Sequence, residues 1–225
     1  IIYIFSNNMI IYNPDGMVYN DRLLLAEKIL GTISYKHCFI TGSFLFKEKY
    51  NDIDLFIISR GKKKPKIKNE MLKIAFIDYN DTYSLFFHSI TKSCVSKSIL
   101  PKKELKVTLS DFWQVINEAV PTLMNEKDKF HKNVRFLFLY TEYFKDGKIL
   151  GSNELNERIS FFKDYKDILE YITISIPDII NSHAKKSYIK RHFYTQAGYY
   201  KSSMEYESQK YLYRLSHSII RGVLQ

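Results

Sequence analysis

Cysteine is nearly missing from this chain. Cys38 and Cys94 are the only two in 225 residues, too few for a disulfide framework or a four-cysteine zinc site. A reducing, cytoplasmic compartment is the expectation that follows. Glycine (8) and proline (5) are scarce, which excludes collagen-like and low-complexity chains. No apolar run approaches the roughly 18 residues that cross a bilayer, so no membrane partner is expected. The opening segment Ile1–Ile11 (IIYIFSNNMII) has an apolar run of five residues with no basic residue before it. That is too short for the core of a secretory signal, and it reads as a strand or an ordered arm. The chain does not begin with Met; Met9 offers a natural start, so residues 1–8 read as dispensable. His37, His88, His131, His183, His192 and His217 show no zinc-ligand spacing. No Gly-rich Walker or dinucleotide motif is present, no internal repeat is visible, and neither cysteine has a nearby partner for nucleophilic work.

What is present is ordinary globular material. Hydrophobic residues make up 45% and charged ones 26%, enough to bury a core and to exclude wholesale disorder. The net charge is +10. The excess is +6 over residues 1–112 and +4 over residues 113–225, so no single tail carries it. A basic balance permits nucleic acid, nucleotides or an anionic surface as partner. A chain rich in Lys, Ile, Asn and Tyr equally reflects biased composition.

Periodicity divides the chain in two. Residues 20–33 predict a helix, with Leu23, Leu24, Ala26, Ile29, Leu30 and Ile33 on a wide apolar face. Lys36–Thr41, Asp52–Ser59 and Met71–Tyr79 predict strands. Phe44–Tyr50 reads as a short helix or a loop, Arg60–Lys68 as an exposed basic turn, and Ser84–Ile90 as a strand or the start of a helix. Beyond about residue 105, Ser110–Met124, Lys129–Phe144 and Asn153–Glu170 are helical in period, each entered by Ser, Asp or Asn. Trp113 is expected to anchor the first of them. The fold class expected is α+β: a small mixed-sheet domain over residues 1–107, then a helical domain over 108–225.

The chemistry concentrates in Phe39–Ile58, FITGSFLFKEKYNDIDLFII. An apolar strand ends in Gly42-Ser43, and after a short gap Asp52-Ile53-Asp54 enters a second apolar strand. Strand side chains alternate, so Asp52 and Asp54 share a face with Cα atoms roughly 6.6–7 Å apart. Two such carboxylates repel unless a cation sits between them. Hard oxygen ligands suit Mg²⁺ or Mn²⁺, held by carboxylates together with substrate phosphates. Gly42 allows a phosphate close to the backbone, and the turn amides with the Ser43 hydroxyl offer it donors.

This arrangement resembles the nucleotidyltransferase superfamily of the DNA polymerase β type over roughly residues 20–90. The matching residues are Gly42, Ser43, Asp52 and Asp54. The resemblance implies that Asp52 and Asp54 hold a Mg²⁺–nucleoside triphosphate, with ATP the expected nucleotide, and that a third carboxylate on a later strand completes the metal site and activates the acceptor hydroxyl. Asp78, in Ile77-Asp78-Tyr79, is the expected third acid, and Asp81 is its competitor. The short separation from Asp54 makes a hairpin through Arg60–Lys68 the natural connection. The implied activity is transfer of a nucleoside monophosphate to a hydroxyl of RNA, protein or a small molecule, with release of pyrophosphate. The alternative is a non-catalytic nucleotide- or RNA-binding module on the same fold, which an absent third carboxylate would favour.

Lower-ranking features complete the reading. Lys47, with Lys49, stands between the turn and the acids and is a candidate phosphate contact. His88 reads as packed rather than catalytic. His183–Lys201 interleaves Lys185, Lys186, Lys190, Arg191 and Lys201 with Tyr188, Phe193, Tyr194, Tyr199 and Tyr200, a pattern that suits an amphipathic helix with core aromatics and solvated lysines slightly better than it suits binding of structured RNA.

Overall fold

A computed structural model describes residues 2–4, 9–12, 20–61, 63, 65, 67, 69–112, 114–116 and 127–184. The basic and aromatic stretch from Lys185 to Lys201, Trp113, and Lys62, Lys64, Lys66 and Lys68 of the basic turn lie outside them. The chain divides into two compact units, Ile1–Lys106 with Ile149–Glu157, and Val107–Lys148 with Arg158–Gln225. The expected division at residues 107/108 therefore misses one feature: Ile149–Glu157 returns to the first unit.

The first unit is built on a six-stranded sheet in the order β1-β2-β6-β3-β4-β5. Its strands are β1 (Ile2–Ile4), β2 (Ile10–Tyr12), β3 (Cys38–Thr41), β4 (Ile53–Ile58), β5 (Leu72–Ile77) and β6 (Cys94–Ser96). Every pairing is antiparallel except β4 with β5, which is parallel. The mixed sheet and the α+β class are thus observed, but the hairpin through Arg60–Lys68 is not. A parallel pair cannot be closed by a tight turn; residues 59–71 must carry the chain back along the whole strand. The return is pinned at both ends, where Ile53 N–H donates to Met71 O at 2.8 Å and Ser59 N–H to Ile77 O at 3.0 Å.

Alternation along the central strands gives the sheet two buried faces. On one, Ile40, Leu55 and Ile57 pack with Ala26, Leu30, Phe44 and Leu45, from α1 (Asn20–Gly31) and α2 (Ser43–Phe46). On the other, Phe39, Phe56 and Ile58 pack with Phe87 and Ile90 of α3 (Leu85–Ile90). In α1 the buried set, Ala26, Ile29 and Leu30, follows the i, i+3, i+4 rule, whereas Leu24 is turned out and 69% exposed; the helix expected to run to Ile33 ends at Gly31, and Ile33 is buried beyond its end. The ambiguous segment 84–90 is a helix because Ser84 caps it: its Oγ accepts from Phe87 N–H at 3.2 Å.

In the second unit, residues 109–112 and 114–116 are helical, followed by α4 (Lys127–Asp146). The single helix expected over Asn153–Glu170 is two, α5 (Ser152–Ser160) and α6 (Tyr165–Ala184). The break follows from capping: Asp164 Oδ1 accepts from Asp167 N–H at 3.1 Å, and Asp167 Oδ2 accepts from Lys163 N–H at 3.2 Å. These two bonds start a new helix where periodicity alone would continue the old one. Between α4 and α6, Glu142 is only 2% exposed; it accepts from Arg158 and from the Tyr171 hydroxyl, to which Lys145 donates at 2.9 Å.

Candidate functional site

Strand direction assembles the site. Because β3 runs antiparallel to β4, Thr41 pairs with Asp54, and the turn after β3 stands beside the start of β4. Because β5 runs parallel to β4, its first residues come to the same end, and Lys73 pairs with Asp54. The Thr41 hydroxyl reaches the carbonyl oxygens of Ile90 (2.9 Å) and Ser93 (2.8 Å), tying this corner to the α3–β6 turn.

Gly42 has φ +88 and ψ −166, a region open to glycine alone. A β-carbon there would stand 2.9 Å from Asp54 Oδ2. The backbone therefore lies directly against the carboxylate, and both the conformation and the space require glycine. Ser43 follows at the first residue of α2. Asp54 shares its sheet face with Phe56 and Ile58, the face covered by α3, and Asp52, two residues earlier, lies on the same side. Gly42, Ser43, Asp52 and Asp54 are thus brought together.

Beside the acids stands a residue that the sequence reading did not select. The Lys73 ammonium donates to the Asp52 carboxylate. That hydrogen bond, and then the charges of Asp52 and Asp54, hold the Lys73 ammonium above its ordinary pKa. The cation that two neighbouring carboxylates demand is supplied by the chain itself. A signal was available: strand alternation from Ile77 back through Ala75 to Lys73, had β5 been set parallel to β4.

Asp78 is not brought to this site, and its placement corrects the expectation. The residues of β5 on the acid face are Lys73, Ala75 and Ile77, in register with Asp54, Phe56 and Ile58. Asp78 follows Ile77 at the opposite end of the parallel pair, five residues beyond Lys73, or roughly 16 Å at ~3.3 Å per residue. Its carboxylate serves local structure instead: Oδ1 accepts from Asn80 N–H at 2.8 Å and caps the 3-10 turn Tyr79–Tyr83. Asp81 is exposed within that turn. Neither acid stands at the end of the sheet that carries Asp52 and Asp54. Lys47 is exposed at the end of α2, where its N–H donates to Ser43 O at 2.8 Å.

No family model, curated protein or solved structure matches this chain.

The residues present fit one divalent ion better than two. Asp52 and Asp54 provide hard oxygen donors on one face, the set that holds Mg²⁺ when substrate phosphates complete its shell. Lys73 occupies the strand position from which a further carboxylate would reach them. Among the described residues no cluster of three or more metal-ligating side chains occurs, and no helix is long and apolar enough to cross a membrane. His88 lies apart, its Nε2–H donating to Lys103 O at 2.9 Å; burial lowers its pKa, in keeping with a packed imidazole.

Proposed function

We propose that this chain is a nucleotide-binding protein of nucleotidyltransferase type, which takes a Mg²⁺–nucleoside triphosphate between the Gly42–Ser43 turn and the Asp52–Asp54 pair. The observation that carries the reading is the approach of the Gly42 backbone to Asp54. It leaves a strip without side chains beside two acids, where a phosphate bound by turn amides and an ion bound by carboxylates would be neighbours. Asp52 and Asp54 would hold the ion, and bound there it would neutralise phosphate charge. The Ser43 hydroxyl would donate to a phosphate oxygen, and Lys47, at the end of α2, would remain in solvent. ATP is the nucleotide proposed, in a reducing, cytoplasmic setting.

Binding without transfer is favoured by the acid face of β5. Deprotonating an acceptor hydroxyl calls for a base or a second ion beside the α-phosphate, and that face offers Lys73, Ala75 and Ile77. Transfer is the second reading, favoured by the positioning of both acids against the turn: the acceptor oxygen would bond to the α-phosphorus as the bond to pyrophosphate breaks.

Titration with Mg²⁺–ATP tests the first reading. Saturable binding is expected, lost in Asp54→Asn, and absence of binding refutes it. Incubation with α-³²P nucleotides plus total RNA, total protein and a small-molecule extract decides between the two: label in any fraction, or pyrophosphate release, establishes transfer, and neither alongside tight binding leaves the binding module.

A further inference from the structure

We propose that Lys73 is an internal counter-ion that keeps a free divalent ion off the Asp52–Asp54 pair, so that the ion enters only together with a nucleoside triphosphate. The proposal rests on the nucleotide-binding reading above and names how that site is regulated.

Register puts Lys73 beside Asp54 on the edge strand of the sheet, and its ammonium donates to the Asp52 carboxylate. The two partners are unequal. The Lys73 side chain is 69% exposed and that of Asp52 26%, so the lysine is the member free to move, on a long stem in water. With Lys73 in place the pair carries one net negative charge instead of two, and one Asp52 oxygen is occupied. A free divalent ion must displace the ammonium and leave it uncompensated beside a dication. A triphosphate removes that obstacle, because its oxygens accept the displaced ammonium as its own ion meets Asp52 and Asp54. Exposed ion pairs are weak, so the exchange needs no rearrangement of the sheet. The expected behaviour is ordered binding: ion affinity lowered about tenfold when the ion comes alone, and restored in the presence of nucleotide.

The test is a Mn²⁺ titration without nucleotide, reading free Mn²⁺ by electron paramagnetic resonance. Lys73→Gln should bind one Mn²⁺ roughly tenfold more tightly than the wild type, the scale expected when a positive charge largely screened by water is removed from beside the ion. Lys73→Arg should match the wild type, and Asp54→Asn added to Lys73→Gln should abolish the gain. Equal Mn²⁺ affinity in the wild type and Lys73→Gln, or a gain that survives Asp54→Asn, overturns the proposal. Failure of the wild type to bind Mg²⁺–ATP is a separate outcome: it removes the nucleotide reading, and with it the ordered entry, while the Mn²⁺ difference still reports on the counter-ion.

Discussion

The Cα of Gly42 and the carboxylate of Asp54 stand so close that one added methyl group would lie 2.9 Å from Oδ2. The turn after β3 and the first acid of β4 are therefore a single structural unit. Gly42→Ala should combine that clash with a φ of +88 and destabilise the first unit by about 1–3 kcal/mol. Urea melts give the stability change. Nucleotide affinity should fall as well, since Asp54 must shift to make room. A Gly42→Ala protein as stable as the wild type would show that the turn tolerates a side chain.

The two groups of acids separate by role. Asp54→Asn should abolish Mg²⁺–ATP binding while keeping the backbone pairing of β3 with β4. Asp78→Asn should leave binding unchanged, because asparagine caps as well as aspartate does. Asp78→Ala should lose about 0.5–2 kcal/mol through the missing cap, again without an effect on binding. Paired calorimetric titrations and thermal melts check all three variants, and a loss of binding in Asp78→Asn would return that residue to the site.

Both thiols should be inert in the native state. Cys38 and Cys94 are buried, and burial pushes their pKa values up to about 11 and about 12. A raised acid pKa keeps the nucleophilic thiolate absent at pH 8. Native protein should react with a disulfide reagent at neither cysteine, and urea-unfolded protein at both. The linkage has a definite sign. Below pH 9 both states hold the thiol proton and stability is unaffected. Above it the unfolded state loses protons first, so this contribution declines as pH rises through 11 and 12. Midpoints of urea melts should fall across that alkaline range, less steeply in Cys94→Ala measured against its own neutral-pH value.

In the second unit Glu142 joins α4 to α6. Glu142→Ala takes the buried carboxylate from the Tyr171 hydroxyl and from the Arg158 guanidinium, which keeps Asp146 at 3.8 Å. The loss should be about 2–3 kcal/mol, below the 3–5 kcal/mol of a fully buried pair because Arg158 is partly in solvent. Glu142→Gln, which keeps the shape and one acceptor, should recover part of it. Denaturant melts of the two variants make the comparison, and equal stability of all three proteins would leave the network without a structural role.

Near-neighbour chemistry is legible along the chain. Asp52 and Asp54 share a face because a strand has period two. Gly42 ends a strand because it has no β-carbon, and Ala26, Ile29 and Leu30 turn inward because a helix has period 3.6. The break at Asp164 was also written locally, in a capping pair that periodicity does not weigh. What local pattern does not contain is the direction in which one strand meets another. Leu72–Ile77 has the same alternation whether it runs up or down the sheet. Antiparallel pairing would bring the end of β5 to the acids; parallel pairing brings its beginning, so Lys73 joins Asp54 while Asp78 is carried to the far end. The return of Ile149–Glu157 is of the same kind, made by contacts such as the Ser89 hydroxyl on Leu150 O and Lys92 on Glu154, between residues some sixty positions apart. The amino-acid sequence by itself determined the elements and the faces they bury, because those follow from neighbours a few residues away. The tertiary structure alone decided which charge stands beside the two carboxylates, because that depends on how the connection from β4 to β5 closes, and only the packing of the whole sheet selects its direction.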